Sequence, residues 1–164
     1  MISTRLARAS DARRISELLA ANGSDRGGML MGRWPVEAIE QRIAARQPIV
    51  VAVDEVDRLL GVLLSSEKGF ENAPPVEAML KAWPGDDDAY VYGPVCIATE
   101  ARGQGVLEAL CAKLRTTYSN REAILFIRED NPNSLRAHLK LGMREVARYE
   151  LNDESFIVLS DRGR

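Results

Sequence analysis

The sequence predicts an α/β domain with at least two parallel strands. In the second half of the chain, apolar runs of strand length alternate with amphipathic segments of helical period. A helix between two neighbouring strands of one sheet forms a crossover, which makes those strands parallel. No repeat, low-complexity tract or linker interrupts the 164 residues, so we expect a single domain over 1–164.

The first half of the chain contains segments of both periods, separated by cap and turn residues. Aspartate is a favoured N-cap, proline fits the first turn of a helix, and clustered glycines indicate a loop. In chain order we expect a strand over 2–8, a helix capped by Asp11, a loop over 22–32, a helix opened by Pro35, and two strands over 49–54 and 58–65.

The second half supplies the crossover. Its two helices each follow an apolar strand, and Gly142 is a suitable C-cap for the second one. The segment 67–88 is irregular, apart from a short helix up to Trp83. In chain order we expect a strand over 89–97, a helix over 106–116, a strand over 123–127, a helix over 134–141, and a hairpin over 144–151 and 154–159.

Composition excludes several classes of protein. The chain has one histidine, His138, and two cysteines, so a zinc site built from several histidines or cysteines is excluded. A net charge of −2 argues against electrostatic binding of nucleic acid. The N-terminus does not resemble a signal peptide, and the longest apolar runs are far shorter than a membrane span. We therefore expect a soluble, cytoplasmic protein with neither a metal nor a membrane or nucleic-acid partner.

A glycine loop between a strand and a helix is the first functional signal. Residues 95–106 read Val-Cys-Ile-Ala-Thr-Glu-Ala-Arg-Gly-Gln-Gly-Val. Such a turn brings backbone N–H groups to the positive end of a helix dipole, where phosphates bind, and Arg102 adds a cationic fork. The residues after Gly105 lack the lysine of a Walker A motif and the third glycine of a dinucleotide fingerprint. By itself, the loop fits a tight turn with Arg102 in solvent equally well.

A second segment, residues 131–143, follows the next strand and reads Asn-Pro-Asn-Ser-Leu-Arg-Ala-His-Leu-Lys-Leu-Gly-Met. Together, Arg-Gly-x-Gly-Val at the start of a helix and Asn-x-x-Ser-x-x-x-His-x-x-Leu-Gly-Met resemble the Gcn5-related N-acetyltransferase (GNAT) superfamily. The motifs lie within residues 89–143, and the terminal hairpin supports the resemblance.

The resemblance implies the GNAT fold: a central mixed, mostly antiparallel twisted sheet with one splayed parallel strand pair and helices on both faces. It also implies acetyl-CoA as the acyl donor, with its pantetheine arm in the wedge between the splayed strands. The main chain of the strand end and of the glycine loop would hold the arm and the pyrophosphate, and the second segment would contact the arm. The implied cofactor-binding residues are Val95, Cys96, Ile97, Arg102, Gly103, Gln104, Gly105, Val106, Asn131, Asn133 and Ser134.

The chain departs from the family pattern at two positions. Leu107 stands where the family usually has Gly or Ala, and this larger side chain could either crowd the pyrophosphate or turn into the core. His138 stands where the family often has a tyrosine that acts as general acid. A thiol with a pKa of about 8.5 leaves more readily when protonated, and imidazole, with a pKa of about 6.5, could act as acid or base. A packing role for His138 remains open.

An ammonium acceptor, with a pKa of about 10.4, must lose a proton before it attacks the thioester. Glu67, Glu71 and Tyr92 are candidate bases, although none belongs to a motif. A nucleophilic pair of Cys96 and His138 is a further alternative, but the apolar strand around Cys96 favours a core residue.

The sequence thus predicts an acyl-CoA-dependent N-acyltransferase that passes acetyl directly to a primary amine, on a small molecule, a peptide or a protein. The alternative is a weakly active or inactive protein of the same fold that senses CoA or a related ligand. A plain interaction module would require both motifs to be coincidence. Since dimers are common in the family, a homodimer is compatible with this interpretation.

Overall fold

The computed structural model describes residues 1–23, 26 and 28–162. Its strands are β1 (Ser3–Leu6), β2 (Val50–Val53), β3 (Leu59–Glu67), β4 (Tyr90–Ile97), β5 (Ala123–Arg128), β6 (Arg144–Leu151) and β7 (Glu154–Ser160). Its α-helices are α1 (Ala12–Ala21), α2 (Val36–Ala44), α3 (Pro74–Ala82), α4 (Val106–Thr117) and α5 (Pro132–Lys140).

The strands follow the order β1-β2-β3-β4-β5-β7-β6 in a mixed sheet. Strands β4 and β5 are parallel, and they pair through Tyr90 with Ala123 and Val91 with Ile124. The pairs β1–β2, β2–β3, β5–β7 and β6–β7 are antiparallel. The expected mixed, mostly antiparallel sheet with one parallel pair is confirmed.

The first of two compact units consists of Met1–Ser65 and Gly93–Asn120. Its core packs the apolar faces of α1 and α2 against β2 and β3. These faces include Ile15 and Leu19 of α1, which are four residues apart as one helical face requires, and Ile39 of α2. Strand β2 is buried along its whole length, and β3 is buried except near its ends. The C-terminal part of β4 and the helix α4 belong to this unit, and Cys96 of β4 lies in its core.

The second unit consists of Ser66–Tyr92 and Arg121–Arg164. Its core joins Val76 and Met79 of α3 to Val91, Ile124 and Val158 of the sheet. The unit contains the N-terminal part of β4, the helix α5 and the final hairpin, whose turn at 152–153 has positive φ angles. The expectation of a single domain stays a prediction.

Three local predictions differ from the structure. Asp11 occupies the predicted N-cap position of α1, but its side chain makes no cap hydrogen bond. Its buried carboxylate accepts from the Arg8 N–H at 2.7 Å and pairs with Arg5 and Arg14. Helix α5 begins at Pro132, two residues before the expected start, because Asn131 is its N-cap. Strand β1 is shorter than expected and covers only Ser3–Leu6.

Within the described part of the chain, every helix is too short or too polar to cross a bilayer.

Candidate functional site

The glycine loop of the first unit has the backbone that the sequence suggested. Gly103 and Gly105 have φ angles of 76° and 84°, in the left-handed region that residues other than glycine rarely adopt. Gly105 is also the N-cap of α4. A Cβ on Gly103 would meet no atom within 4 Å, and a Cβ on Gly105 would meet only Glu108 Oε2, at 4.0 Å. The space at the Cβ positions of both glycines is therefore open. The first N–H groups of an α-helix have no partner within the helix, so those at the start of α4 are suited to bind an anionic ligand.

The side chains of this loop divide into exposed and buried ones. Arg102 and Gln104 are exposed. Arg102 donates from Nη2 to Asn22 Oδ1 at 2.9 Å and from Nε to the Ile97 carbonyl at 3.4 Å. The side chain of Val106 is buried in the core, so only its backbone N–H can serve a ligand. Leu107 is half-buried.

The end of β4 combines half-buried and buried residues. Val95 and Ile97 are half-buried, whereas Cys96 belongs to the apolar core of the first unit. Burial raises the pKa of the Cys96 thiol to about 11, so the thiol stays protonated near neutral pH. Cys96 is therefore a core residue and not an activated nucleophile, as the apolar strand around it suggested.

The start of α5 uses its polar residues to organise the helix. Asn131 Oδ1 accepts from the Ser134 N–H at 3.4 Å, and Pro132 occupies the first turn, where a missing N–H costs nothing. Asn133 is exposed, and its Oδ1 accepts from Arg136. Asn131 and Ser134 are half-buried. Asn131 thus has a structural role as a cap, and its amide NH₂ group is a donor that a ligand carbonyl could accept from.

His138 lies one turn after Ser134 on α5 and is 2% exposed. Its Nδ1 lies 2.8 Å from the Ser134 carbonyl oxygen and 3.4 Å from Ser134 Oγ. Burial lowers the pKa of His138, and the bond to the Ser134 carbonyl only partly opposes this. The imidazole is therefore neutral near pH 7. The neighbouring Leu139 is 44% exposed.

Tyr92 of β4 is the partner of His138. Its Oη lies 2.9 Å from His138 Nε2, and the two rings meet edge to face with centroids 5.4 Å apart. A carbonyl oxygen can only accept, so the Ser134 contact requires the imidazole hydrogen on Nδ1. In the neutral ring, Nε2 then carries a lone pair, and the Tyr92 hydroxyl donates to it. The structure brings together two candidate catalytic residues that the sequence presented separately.

The candidate carboxylate bases lie outside this pair. Glu67, at the end of β3, forms an ion pair with Arg121 through both of its oxygens. Glu71 is half-buried in the segment between β3 and α3. In the described ranges, His, Cys, Asp and Glu side chains form no group of three or more that could hold a metal ion.

Comparison with solved structures identifies the architecture. A GNAT-superfamily phosphinothricin acetyltransferase from Sinorhizobium meliloti, solved with acetyl-CoA, matches with a TM-score of 0.70 and 21% identity over 97% of this chain and 86% of its own. The chain has the GNAT fold. The ribosomal-protein-S18-alanine N-acetyltransferase of Escherichia coli matches this GNAT-fold chain with a TM-score of 0.69 and 12% identity, over 98% of this chain and 92% of its own.

A third GNAT-fold match is a spermidine N-acetyltransferase chimera from Vibrio cholerae and hSSAT, with a TM-score of 0.68 and 15% identity over 97% of this chain and 93% of its own. No protein-family model matches the sequence. No curated protein matches it either. The likeness is therefore one of fold, at low sequence identity.

Proposed function

We propose that the protein is an acetyl-CoA-dependent N-acetyltransferase, which transfers acetyl directly to a primary amine. The observation that carries the proposal is the glycine loop at the start of α4, with two left-handed glycines whose Cβ positions are open. The GNAT fold supports it, since the loop follows β4 in a sheet of that order. Backbone donors at a helix N-terminus suit the pyrophosphate of acetyl-CoA.

In this proposal the loop 102–106 holds the pyrophosphate. Gly103, Gln104, Gly105 and Val106 contribute backbone N–H groups, and Arg102 contributes charge. Arg102 is exposed and donates to the Ile97 carbonyl and to Asn22 Oδ1. Because these solvent-exposed hydrogen bonds are weak, the guanidinium can exchange them for stronger bonds to phosphate oxygens.

The main chain of Val95, Cys96 and Ile97 would hold the pantetheine arm by backbone hydrogen bonding. Asn131 would donate to the arm through its amide NH₂ while its oxygen caps α5, and Asn133 and Ser134 are further candidates. This division of work explains how Asn131 can serve both the helix and a ligand.

The chemistry requires a proton to leave the attacking amine and a proton to reach the departing thiolate. Tyr92 and His138 form the hydrogen-bonded pair of the second unit that is suited to this work. Glu71 remains a candidate for the initial deprotonation of an ammonium acceptor. The acceptor in this proposal is a primary amine on a small molecule, a peptide or a protein. Two of the structural neighbours, which are named for an alanine of a ribosomal protein and for spermidine, support this range.

Calorimetric titration with acetyl-CoA, followed by thiol release across an amine panel, tests the proposal. We expect saturable binding and turnover with at least one class of amine. Acetyl-pantetheine, which lacks the pyrophosphate, is the control ligand and should bind more weakly. Absence of binding at about 1 mM acetyl-CoA would overturn the proposal, because this corresponds to less than about 4 kcal/mol of binding free energy.

A sensor of CoA is the second candidate function. The observations that favour it are the half-buried Leu107 beside the glycine loop and a histidine that is almost completely buried at the position where the family often has a tyrosine. Binding of acetyl-CoA without thiol release on any amine would favour the sensor over the enzyme.

A further inference from the structure

Gly61 lies within β3, at a point where the pairing of the strand with β2 is irregular. Gly61 pairs with Ala52 of β2, and Leu59 pairs with the next residue, Val53. Leu60 therefore has no opposite residue on β2, as in a β-bulge. A glycine inside a strand often marks a bulge or a place where another part of the chain comes close, and bulges are frequent next to active sites. Both features are present at Gly61.

The first turn of α4 and the end of β4 fill the space next to Gly61. A Cβ added to Gly61 would lie 2.8 Å from Val106 Cγ1, 3.1 Å from Ile97 Cδ1 and 3.2 Å from the Cys96 carbonyl oxygen. Non-bonded carbon atoms prefer a separation of about 3.5–4.0 Å, so the first of these contacts would be a clash. Val106 is buried, and its branched side chain is stiff about χ1, so its Cγ1 cannot easily turn away. Gly61→Ala would therefore push the first turn of α4 away from the sheet.

These contacts connect the two halves of the proposed cofactor site. Val106 offers its backbone N–H to the pyrophosphate, and the main chain of Cys96 and Ile97 holds the pantetheine arm in the proposal above. The chain that leaves β4 is held at the same place, because the Ala98 N–H donates to the carbonyl of the bulge residue of β3 at 2.8 Å. A single methyl group on Gly61 would thus meet both halves.

We infer that Gly61 is a positioning residue for the cofactor. Because Gly61 has no side chain, β3 can hold the first turn of α4 and the end of β4 close together, so that the backbone of both can serve one ligand. Gly61 acts through the placement of Val106 and Cys96 and makes no contact with the ligand itself. This inference rests on the proposed binding of acetyl-CoA.

Calorimetric titration of Gly61→Ala with acetyl-CoA is the first test. We expect the affinity to fall about tenfold or more, which corresponds to the loss of one hydrogen bond to a charged group. Unchanged affinity in the folded variant would overturn the inference, because Gly61 would then matter only for packing.

The double variant Gly61→Ala/Val106→Ala tests whether the contact with Val106 is the cause. Val106→Ala removes Cγ1 and keeps the backbone N–H, so the added methyl group has room. We expect the double variant to bind acetyl-CoA within about threefold of Val106→Ala alone. A loss that Val106→Ala does not relieve would overturn the inference. If Gly61→Ala does not fold, the double variant should fold, and its failure to fold beside a folded Val106→Ala would count against the inference equally.

Gly85→Ala is the matched control. Gly85 belongs to the second unit, and a Cβ there would lie 2.5 Å from Glu122 Oε1 and 2.7 Å from Ile124 Cδ1. This variant should also lose stability, but at a temperature where it is folded it should keep the wild-type affinity for acetyl-CoA. An equal loss of affinity in Gly85→Ala would show that any overpacked variant binds poorly, and would remove the special role of Gly61.

Amide proton–nitrogen correlation spectra test the inference without acetyl-CoA. Gly61→Ala should shift the backbone signals of Gly103 and Gly105, and the added Val106→Ala substitution should bring them back toward the positions that they have in Val106→Ala alone. Unshifted glycine signals in Gly61→Ala would overturn the inference. If the wild type does not bind acetyl-CoA, the proposed function fails, whereas these spectra still decide whether Gly61 sets the position of the glycine loop.

Discussion

Trp83 donates its indole N–H to Glu122 Oε2 at 3.0 Å, and this bond ties the segment before β4 to the residue before β5. Glu122 is 1% exposed and also accepts from the Asp86 N–H at 2.7 Å and from Ser160 Oγ at 2.5 Å. A Cβ on Gly85 would lie 2.5 Å from Glu122 Oε1, so the chain passes this carboxylate where only glycine fits. One buried carboxylate thus holds the segment before β4 and the end of β7 together.

Glu122→Gln should destabilise the protein by about 2 kcal/mol. Burial acts to raise the pKa of Glu122, but the donors Ser160, Asp86 and Trp83 outweigh it and hold the pKa below its usual range. The amide of glutamine has one accepting oxygen, whereas the two oxygens of Glu122 accept from Ser160, Asp86 and Trp83. The amide NH₂ group would therefore face at least one of these donors, and that hydrogen bond would be lost. Urea unfolding of Glu122→Gln measures the loss. Glu77→Gln, on the exposed face of α3, is the control and should change stability by less than about 0.5 kcal/mol.

Gly105→Ala should weaken acetyl-CoA binding by about tenfold or more. Alanine disfavours the left-handed φ of 84°, so the loop would relax and misdirect the N–H groups at the start of α4. Calorimetric titration measures the affinity.

Gly69→Ala is the matched control for this loop variant. Gly69 has nearly the same φ, 86°, and a Cβ there meets no atom within 4 Å, but the residue follows β3 and lies outside the glycine loop. It should lose similar stability, about 1 kcal/mol, and keep its affinity. Equal affinity in both variants would mean that the loop does not hold the pyrophosphate.

The stability of the protein should depend on the protonation of His138. Its pKa is lowered in the folded protein, chiefly by burial, so the unfolded chain binds the proton first as the pH falls. Between about pH 6.5 and the lower folded value, the unfolded state holds more protons, and the free energy of unfolding decreases with falling pH. Relative to His138→Gln, which cannot titrate there, the wild type should lose stability from about pH 7 to pH 5. A difference that is constant over this range would contradict the neutral, buried imidazole.

The individual strands and helices could be predicted because each depends on local periodicity, whereas the mostly antiparallel arrangement of the sheet was implied by the family resemblance. The apolar spacing of α1 and the buried runs of β2 and β3 are visible in the sequence, and so was the glycine turn before α4. The start of α5 was also readable, since an asparagine before a proline indicates an N-cap and first turn. The predicted start at Ser134 is wrong by two residues, because Asn131 caps the helix and Pro132 is its first residue.

The pairing of Tyr92 with His138 could not be predicted in the same way. The two residues are 46 positions apart, and their contact depends on the register of β4 and on the rotation of α5 about its axis. Neither quantity leaves a local pattern. The same holds for Arg102 and Asn22, which are 80 positions apart.

Arg102→Gln should lower the affinity for acetyl-CoA by about tenfold, because a charge-assisted bond to the pyrophosphate is lost. It should not change the affinity for acetyl-pantetheine, which has no pyrophosphate for Arg102 to contact. The affinity of the wild type for acetyl-CoA should also fall more steeply with salt than that of the variant. Arg13→Gln, on the exposed face of α1, removes the same charge elsewhere and should leave both affinities unchanged. If Arg102→Gln weakens both ligands equally, Arg102 acts by holding Asn22 and the end of α1, not by contacting phosphate.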